Sequence, residues 1–145
     1  MVPARLSVVT LGAHDLPRLS EFYRGLGWSL AVDLDGFAAF QTRGAVLTLF
    51  PLDDLAADGH VPAAAPEEGM RFTVAINVDR REQVDETLEA VREAGGRVTK
   101  EPVDAEWGGR SAYFADPEDN FWEIAWVPPD SLMAAAIARA CGDDD

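Results

Sequence analysis

Few side chains in this 145-residue sequence are equipped for chemistry. There are two histidines, His14 and His60, and one cysteine, Cys141. Neither histidine belongs to a histidine–carboxylate cluster with useful local spacing. No Ser/His/Asp triad, zinc-binding cysteine cluster or phosphate-cradling glycine loop is visible. Gly95-Gly96 and Gly108-Gly109 are too short and wrongly placed for nucleotide binding. A single cysteine excludes an intramolecular disulfide, and near the chain end Cys141 reads as a free surface thiol. What remains is a carboxylate, Glu123, inside the alternating segment Phe121–Trp126. Side chains alternate across a strand, so Phe121, Glu123 and Ala125 share one face and Trp122, Ile124 and Trp126 the other. The three on the second face suit packing against helices. A carboxylate among apolar neighbours is costly unless paired or hydrogen-bonded. Glu123 therefore has two readings, a contact for a cationic or polar ligand, or a structural group held by its neighbours.

The composition limits what such a site serves. Hydrophobic residues make up 48%, enough for the packed core of one domain. Twenty-six acidic residues against 12 basic ones give a formal charge of -14. That surface repels phosphate backbones, so no nucleic-acid partner is expected. Anionic membranes are disfavoured in the same way. A cationic small ligand or a basic protein patch is compatible. No segment has the length needed to cross a membrane, and residues 1–9 lack the pattern of a signal peptide. The expectation is a soluble cytoplasmic protein.

The elements that would position Glu123 follow from apolar periodicity and turn residues. Leu6 to Leu11 reads as a buried strand. Asp15 caps a helix over Leu16 to Arg24, with Pro17 in its first turn and Leu19, Phe22 and Tyr23 on its buried side. Gly25 and Gly27 end it. Strands follow over Trp28–Val32, Phe37–Gln41 and Ala45–Phe50, with turns at Asp35-Gly36 and Thr42-Arg43-Gly44. Leu52 to Met70 reads as a long loop with one helical turn at most. The pattern then restarts. Phe72–Val78 is a strand and Arg81–Ala94 an amphipathic helix with Val84, Leu88 and Val91 on one stripe. Gly95-Gly96 stops it. Arg97–Thr99 is a short strand and Glu101–Trp107 an irregular acidic segment. Arg110–Phe114 and Phe121–Trp126 are strands joined by a turn over 115–120. Ser131–Cys141 is a short alanine-rich helix, and the terminal Gly142 to Asp145 is expected to fray. A strand–helix–three-strand unit thus occurs twice. One copy cannot bury both faces of its sheet, whereas two copies can form one curved sheet with helices outside and a cleft on the opposite face.

Two sets of motifs now carry a resemblance. The first is Leu11-Gly12-Ala13-His14-Asp15-Leu16, then Glu21-Phe22-Tyr23 and Leu26-Gly27-Trp28. The second is Gly108-Gly109-Arg110, Tyr113-Phe114-Ala115-Asp116-Pro117, then Asn120-Phe121-Trp122-Glu123. With their spacing and the repeat, the sequence resembles the glyoxalase, bleomycin-resistance and extradiol-dioxygenase superfamily (vicinal oxygen chelate proteins) from Leu6 to Val127. The resemblance implies an α+β fold of two βαβββ modules, one over about 5–51 and one over about 71–127. A linker loop over 52–70 and a C-terminal helix over 131–141 complete a single 1–145 domain. It also implies a ligand cavity and a homodimer.

The resemblance further implies metal ligands on the first, fourth, fifth and eighth core strands. Carried over residue by residue, these positions are Val8, Thr48, Thr73 and Glu123. Valine cannot bind a cation, and a threonine hydroxyl is a poor substitute for imidazole or carboxylate at a transition metal. One carboxylate is too little for a site that normally needs three or four protein ligands. No metal and no cofactor are therefore expected, and no catalytic residue is assigned. The same parity argument sets Thr10, Thr48, Thr73, Ala75 and Asn77 along the concave side with Glu123. Phe40 and Trp107 are candidate aromatic walls, or else core or dimer-contact aromatics. Arg110 is a candidate partner for Glu123 or for a ligand anion, or else an exposed strand-end arginine. Thr73, Thr48 or water are the candidate partners of Glu123 under its structural reading. His14 reads as a surface or capping residue, and His60 lies in the variable loop. The first expectation for function is non-catalytic binding of a small cationic or aromatic molecule such as an antibiotic. The alternatives are a divergent lyase or dioxygenase with an atypical site, and a structural dimer without ligand.

Overall fold

The computed structural model describes residues 4, 6–64, 69–70 and 72–142. Residues 65–68 of the expected loop and the expected fraying of 143–145 lie outside the described residues. The chain divides into two compact units, Met1–Ala65 and Pro66–Asp145.

The first unit contains β1 (Val8–Ala13), α1 (Leu16–Gly25), β2 (Leu30–Leu34), β3 (Phe37–Phe40), β4 (Val46–Pro51) and α2 (Leu52–Asp58). Its four strands form one mixed sheet in the order β1-β4-β3-β2. The β1–β4 pair is parallel, and the other two pairs are antiparallel. α1 starts where the Asp15 carboxylate accepts from the Arg18 N–H at 3.1 Å. Pro17 stands in the first turn, where its missing N–H leaves no bond unmade. Leu19, Phe22 and Tyr23 are buried at helical spacing, and Tyr23 packs on Phe40 of the sheet. Burying each such side chain contributes about 2 kcal/mol. α2 replaces part of the expected loop. It packs on β1 and β4, and Leu52 sits against Gly12, where a Cβ would have no room.

The second unit contains β5 (Val74–Asn77), α3 (Gln83–Glu93), β6 (Arg97–Asp104), β7 (Arg110–Ala115), β8 (Phe121–Trp126) and α4 (Leu132–Cys141). The βαβββ order and the strand pairing repeat those of the first unit, in the order β5-β8-β7-β6. The Gln83 side chain accepts from the N–H groups of Asp79 and Arg80 at 3.0 and 2.8 Å, which closes the start of α3. Val84, Leu88 and Val91 then face the sheet and are buried. Phe114 and Trp122 stack beneath them with centroids 6.1 Å apart. β6 is longer than the sequence suggested and takes in most of the acidic segment. Ser131 caps α4 by accepting from the Ala134 N–H at 3.1 Å, and none of the α4 residues is buried.

Candidate functional site

Alternation and register place Glu123 on the face of the second sheet opposite α3. Trp122 and Ile124 are buried on the α3 side, and Glu123 between them points the other way. Its cross-strand neighbours are Ala75 on β5 and Tyr113 on β7. The Tyr113 hydroxyl donates a hydrogen bond to the Glu123 carboxylate. That donation, with burial adding to it, pushes the phenol above its usual range. It fixes the orientation of a half-buried carboxylate that would otherwise be costly to hold among apolar strands. The expected partners take no part in this. Thr73 instead donates to the backbone carbonyl of Phe121 at 3.2 Å. Thr48 lies in the other unit, where it is buried and shares a 2.6 Å hydrogen bond with Thr10. Thr10 and Thr48 are direct register partners across β1 and β4, on the sheet face opposite α1.

Two expected site residues are placed elsewhere. Phe40 is fully buried on the α1 side, with its ring centroid 5.8 Å from that of Tyr23, so it is core and not a cavity wall. Arg110 does not meet Glu123. It aligns with Trp126 and shares the side of Ala112 and Phe114, which faces α3. There it bonds Asp85 through two nitrogens, at 2.8 and 2.9 Å, and Asp104 at 3.1 Å. The guanidinium holds both carboxyls below their usual range, and Arg81 adds to this at Asp104. Trp107 is 55% exposed at the β6–β7 turn, with its ring laid over Gly109. His14 is exposed after β1. His60 is exposed after α2 with a left-handed φ of 58°.

Sequence reasoning missed two residues on this face, Tyr113 and Lys100. The observed connection covers 116–120, and Tyr113 and Glu123 each lie five residues from its centre, Glu118; counted from the expected turn over 115–120, Tyr113 would have faced Trp122. Beside Tyr113 stands Lys100 of β6, whose Nζ lies over the Tyr113 ring at 5.4 Å from the centroid. Register thus defines one row across the second sheet, Ala75–Glu123–Tyr113–Lys100. The matching row in the first sheet is Thr10–Thr48–Ala39–Val32. A groove of about 320 Å³ lies elsewhere, between α1 and the β2–β3 turn, and includes Glu21, Arg24, Asp33 and Asp35. None of the expected site residues lines it.

The donor set does not fit the metal that the resemblance implies. In the first unit the two positions hold Val8 and Thr48, and the Thr48 hydroxyl is engaged by Thr10. In the second unit Thr73 is turned to a backbone carbonyl, and Glu123 is the single strong ligand. Among the described residues no three His, Cys, Asp or Glu side chains gather to hold an ion. What the row offers is a fixed hydrogen-bond acceptor beside an aromatic face and an ammonium.

Comparison with known proteins agrees with the fold. The family model of the glyoxalase/bleomycin resistance protein/dioxygenase superfamily matches residues 5–124. The anthracycline biosynthesis protein DnrV of Streptomyces peucetius is 31% identical over 116 residues, which are 74% of this chain and 41% of that protein. The chain therefore spans well under half the length of that relative. A glyoxalase-related enzyme from Fulvimarina pelagi superimposes with a TM-score of 0.79 at 29% identity, over 87% of this chain and 90% of the other. A glyoxalase/bleomycin resistance protein/dioxygenase from Nocardioides gives 0.76 at 29%, over 90% and 88%. Repeated βαβββ units, the two motif sets and the match over residues 5–124 lead to one conclusion: the chain belongs to the glyoxalase/bleomycin resistance protein/dioxygenase superfamily.

Proposed function

We propose that this chain binds a small organic molecule at the Glu123 row of its second sheet and holds it without converting it. The observation that carries this reading is the Glu123 carboxylate, oriented by a tyrosine hydroxyl and, among the described residues, not grouped with other metal-binding side chains. A carboxylate fixed in this way is an acceptor for a cationic or hydrogen-bond-donating group on a ligand. Ala75 on the same face is exposed and leaves room beside it, and the Tyr113 ring offers an aromatic surface. The likeness to a protein of anthracycline biosynthesis favours an aromatic ligand of the antibiotic kind. A second reading, an enzyme with an atypical site, draws on the same pair. A hydroxyl donating to a carboxylate is suited to passing a proton.

A homodimer in the cytoplasm is part of the proposal. Leu132 and Met133 of α4 are 92% and 60% exposed, apolar surface that a second copy would cover. No helix among the described residues is long and apolar enough to cross a membrane. Native mass spectrometry on protein purified without added metal tests the assembly, the metal and the ligand at once. The expected spectrum shows twice the chain mass, no transition metal, and a retained organic molecule released on mild activation. One metal per chain, lost in Glu123→Gln, would favour the enzyme instead.

A further inference from the structure

Lys100 is the only lysine in the sequence, since every other cationic side chain apart from the histidines is arginine. Its surroundings separate it from the five arginines of the same unit that form ion pairs. Arg80, Arg81, Arg92, Arg97 and Arg110 all meet carboxylates. Lys100 meets none among the described residues, in a chain with a formal charge of -14. Its next neighbour, Glu101, is taken by Arg92. The Lys100 ammonium lies instead over the Tyr113 ring, whose hydroxyl donates to Glu123.

The backbone explains how it gets there. Val98 is opposite Phe114, and Lys100, not Thr99, is opposite Tyr113. The extra residue is a β-bulge, which shifts the alternation and aims Lys100 to the face opposite α3. Without it, Thr99 would face Tyr113 and Lys100 would turn toward α3. The first unit has the same bulge. Leu30 is opposite Phe40, and Val32 is opposite Ala39. The bulge therefore belongs to the repeated fold, while the side chains placed on it differ. At matching positions the first unit carries Val32, Ala39 and Thr48, and the second carries Lys100, Tyr113 and Glu123. The second unit alone sets an ammonium over the face of an aromatic ring and a carboxylate at that ring's hydroxyl.

We propose that Lys100, Tyr113 and Glu123 form an amphoteric subsite for an aromatic ligand with an anionic or carbonyl oxygen on one edge and an O–H or N–H donor on the other. The oxygen accepts from the Lys100 ammonium, the donor gives to Glu123, and the ligand ring bridges the two beside Tyr113. This rests on the binding reading above and narrows it, because a purely cationic ligand gains Glu123 and is repelled by Lys100. A lysine suits the task better than an arginine here, since its compact ammonium addresses one oxygen rather than a planar pair.

Titration calorimetry tests it with three probes. These are naphthol, naphthoate, and a hydroxynaphthoate bearing carboxylate and hydroxyl on opposite rings. Wild type should bind hydroxynaphthoate tightest. Lys100→Gln should weaken hydroxynaphthoate and naphthoate by about tenfold and leave naphthol unchanged. Lys100→Arg should recover part of the loss. Lys100 is exposed, so neither variant threatens the fold, and circular dichroism checks this. Unchanged affinity of Lys100→Gln for all three probes, with wild-type binding intact, would overturn the subsite and leave the binding reading standing. No binding of any probe to wild type would overturn both.

Discussion

Asp116→Ala should lower the free energy of unfolding by about 3 kcal/mol. Asp116 is only 2% exposed and lies at the end of the β7–β8 connection. Its carboxylate accepts from the Glu118 N–H at 2.9 Å, from the Asn120 N–H at 3.0 Å and from the Asn120 side-chain amide at 2.8 Å. Those bonds hold the turn in which Asp119 adopts a φ of 61°. Alanine leaves three part-buried donors without their acceptor, and a donor shielded from water and left unmade costs more than the bond contributed. Asp116→Asn should cost less. Its amide oxygen still accepts from the two backbone N–H groups, while its NH₂ now meets that of Asn120. Urea denaturation of the two variants checks this. An Asp116→Ala midpoint equal to that of wild type would show that water replaces the carboxylate at no cost. The effect reaches the site, because this turn sets which residue of β7 stands opposite Glu123.

Gly109→Ala should cost about 2 kcal/mol and displace Trp107. Gly109 is buried at the entry to β7, and the Trp107 ring covers its Cα. A methyl group there would overlap both that ring and the Trp126 carbonyl oxygen. The exposed indole can swing away, but the carbonyl belongs to the β8 backbone and cannot yield cheaply. Removing the ring should therefore relieve only part of the cost. Gly109→Ala combined with Trp107→Ala should remain less stable than Trp107→Ala alone. Equal urea midpoints for those two proteins would mean that the carbonyl contact is relaxed without cost.

The fold was legible because turn chemistry and helix periodicity agreed. Asp35-Gly36 closes the β2–β3 hairpin, with Gly36 at a φ of +78°, and Gly95 ends α3 at +98°. α2 was not legible. It has no side-chain cap, no buried residue and only seven positions, so nothing in its composition rises above a loop. The C-terminal half of β6 was hidden by Pro102 and its acidic neighbours. β6 is an edge strand, where a missing N–H need break no ladder bond. At the site, alternation along Phe121–Trp126 correctly separated Glu123 from the tryptophans. It was silent for Phe40, because Ala38, Ala39 and Phe40 are all buried and both faces of β3 look alike. For Arg110 the information was there. Opposite Trp126 and two residues from Ala112, it belongs to the side that carries α3. Lys100 lay beyond any parity argument, because a bulge changes the count by one and leaves no mark in the residue types around it.

Glu123 is the centre of the functional reading, and its removal is the most direct test. Glu123→Gln keeps an oxygen that accepts from Tyr113, so the sheet should stay intact and the urea midpoint should hardly move. What is lost is the negative charge offered to a ligand donor. Titration calorimetry should show Glu123→Gln binding naphthylmethylamine and naphthol about tenfold more weakly than wild type, with naphthoate, which has no donor for this carboxylate, unaffected or improved. Equal affinities of the two proteins for all three compounds would contradict the account and leave Glu123 as a structural partner of Tyr113.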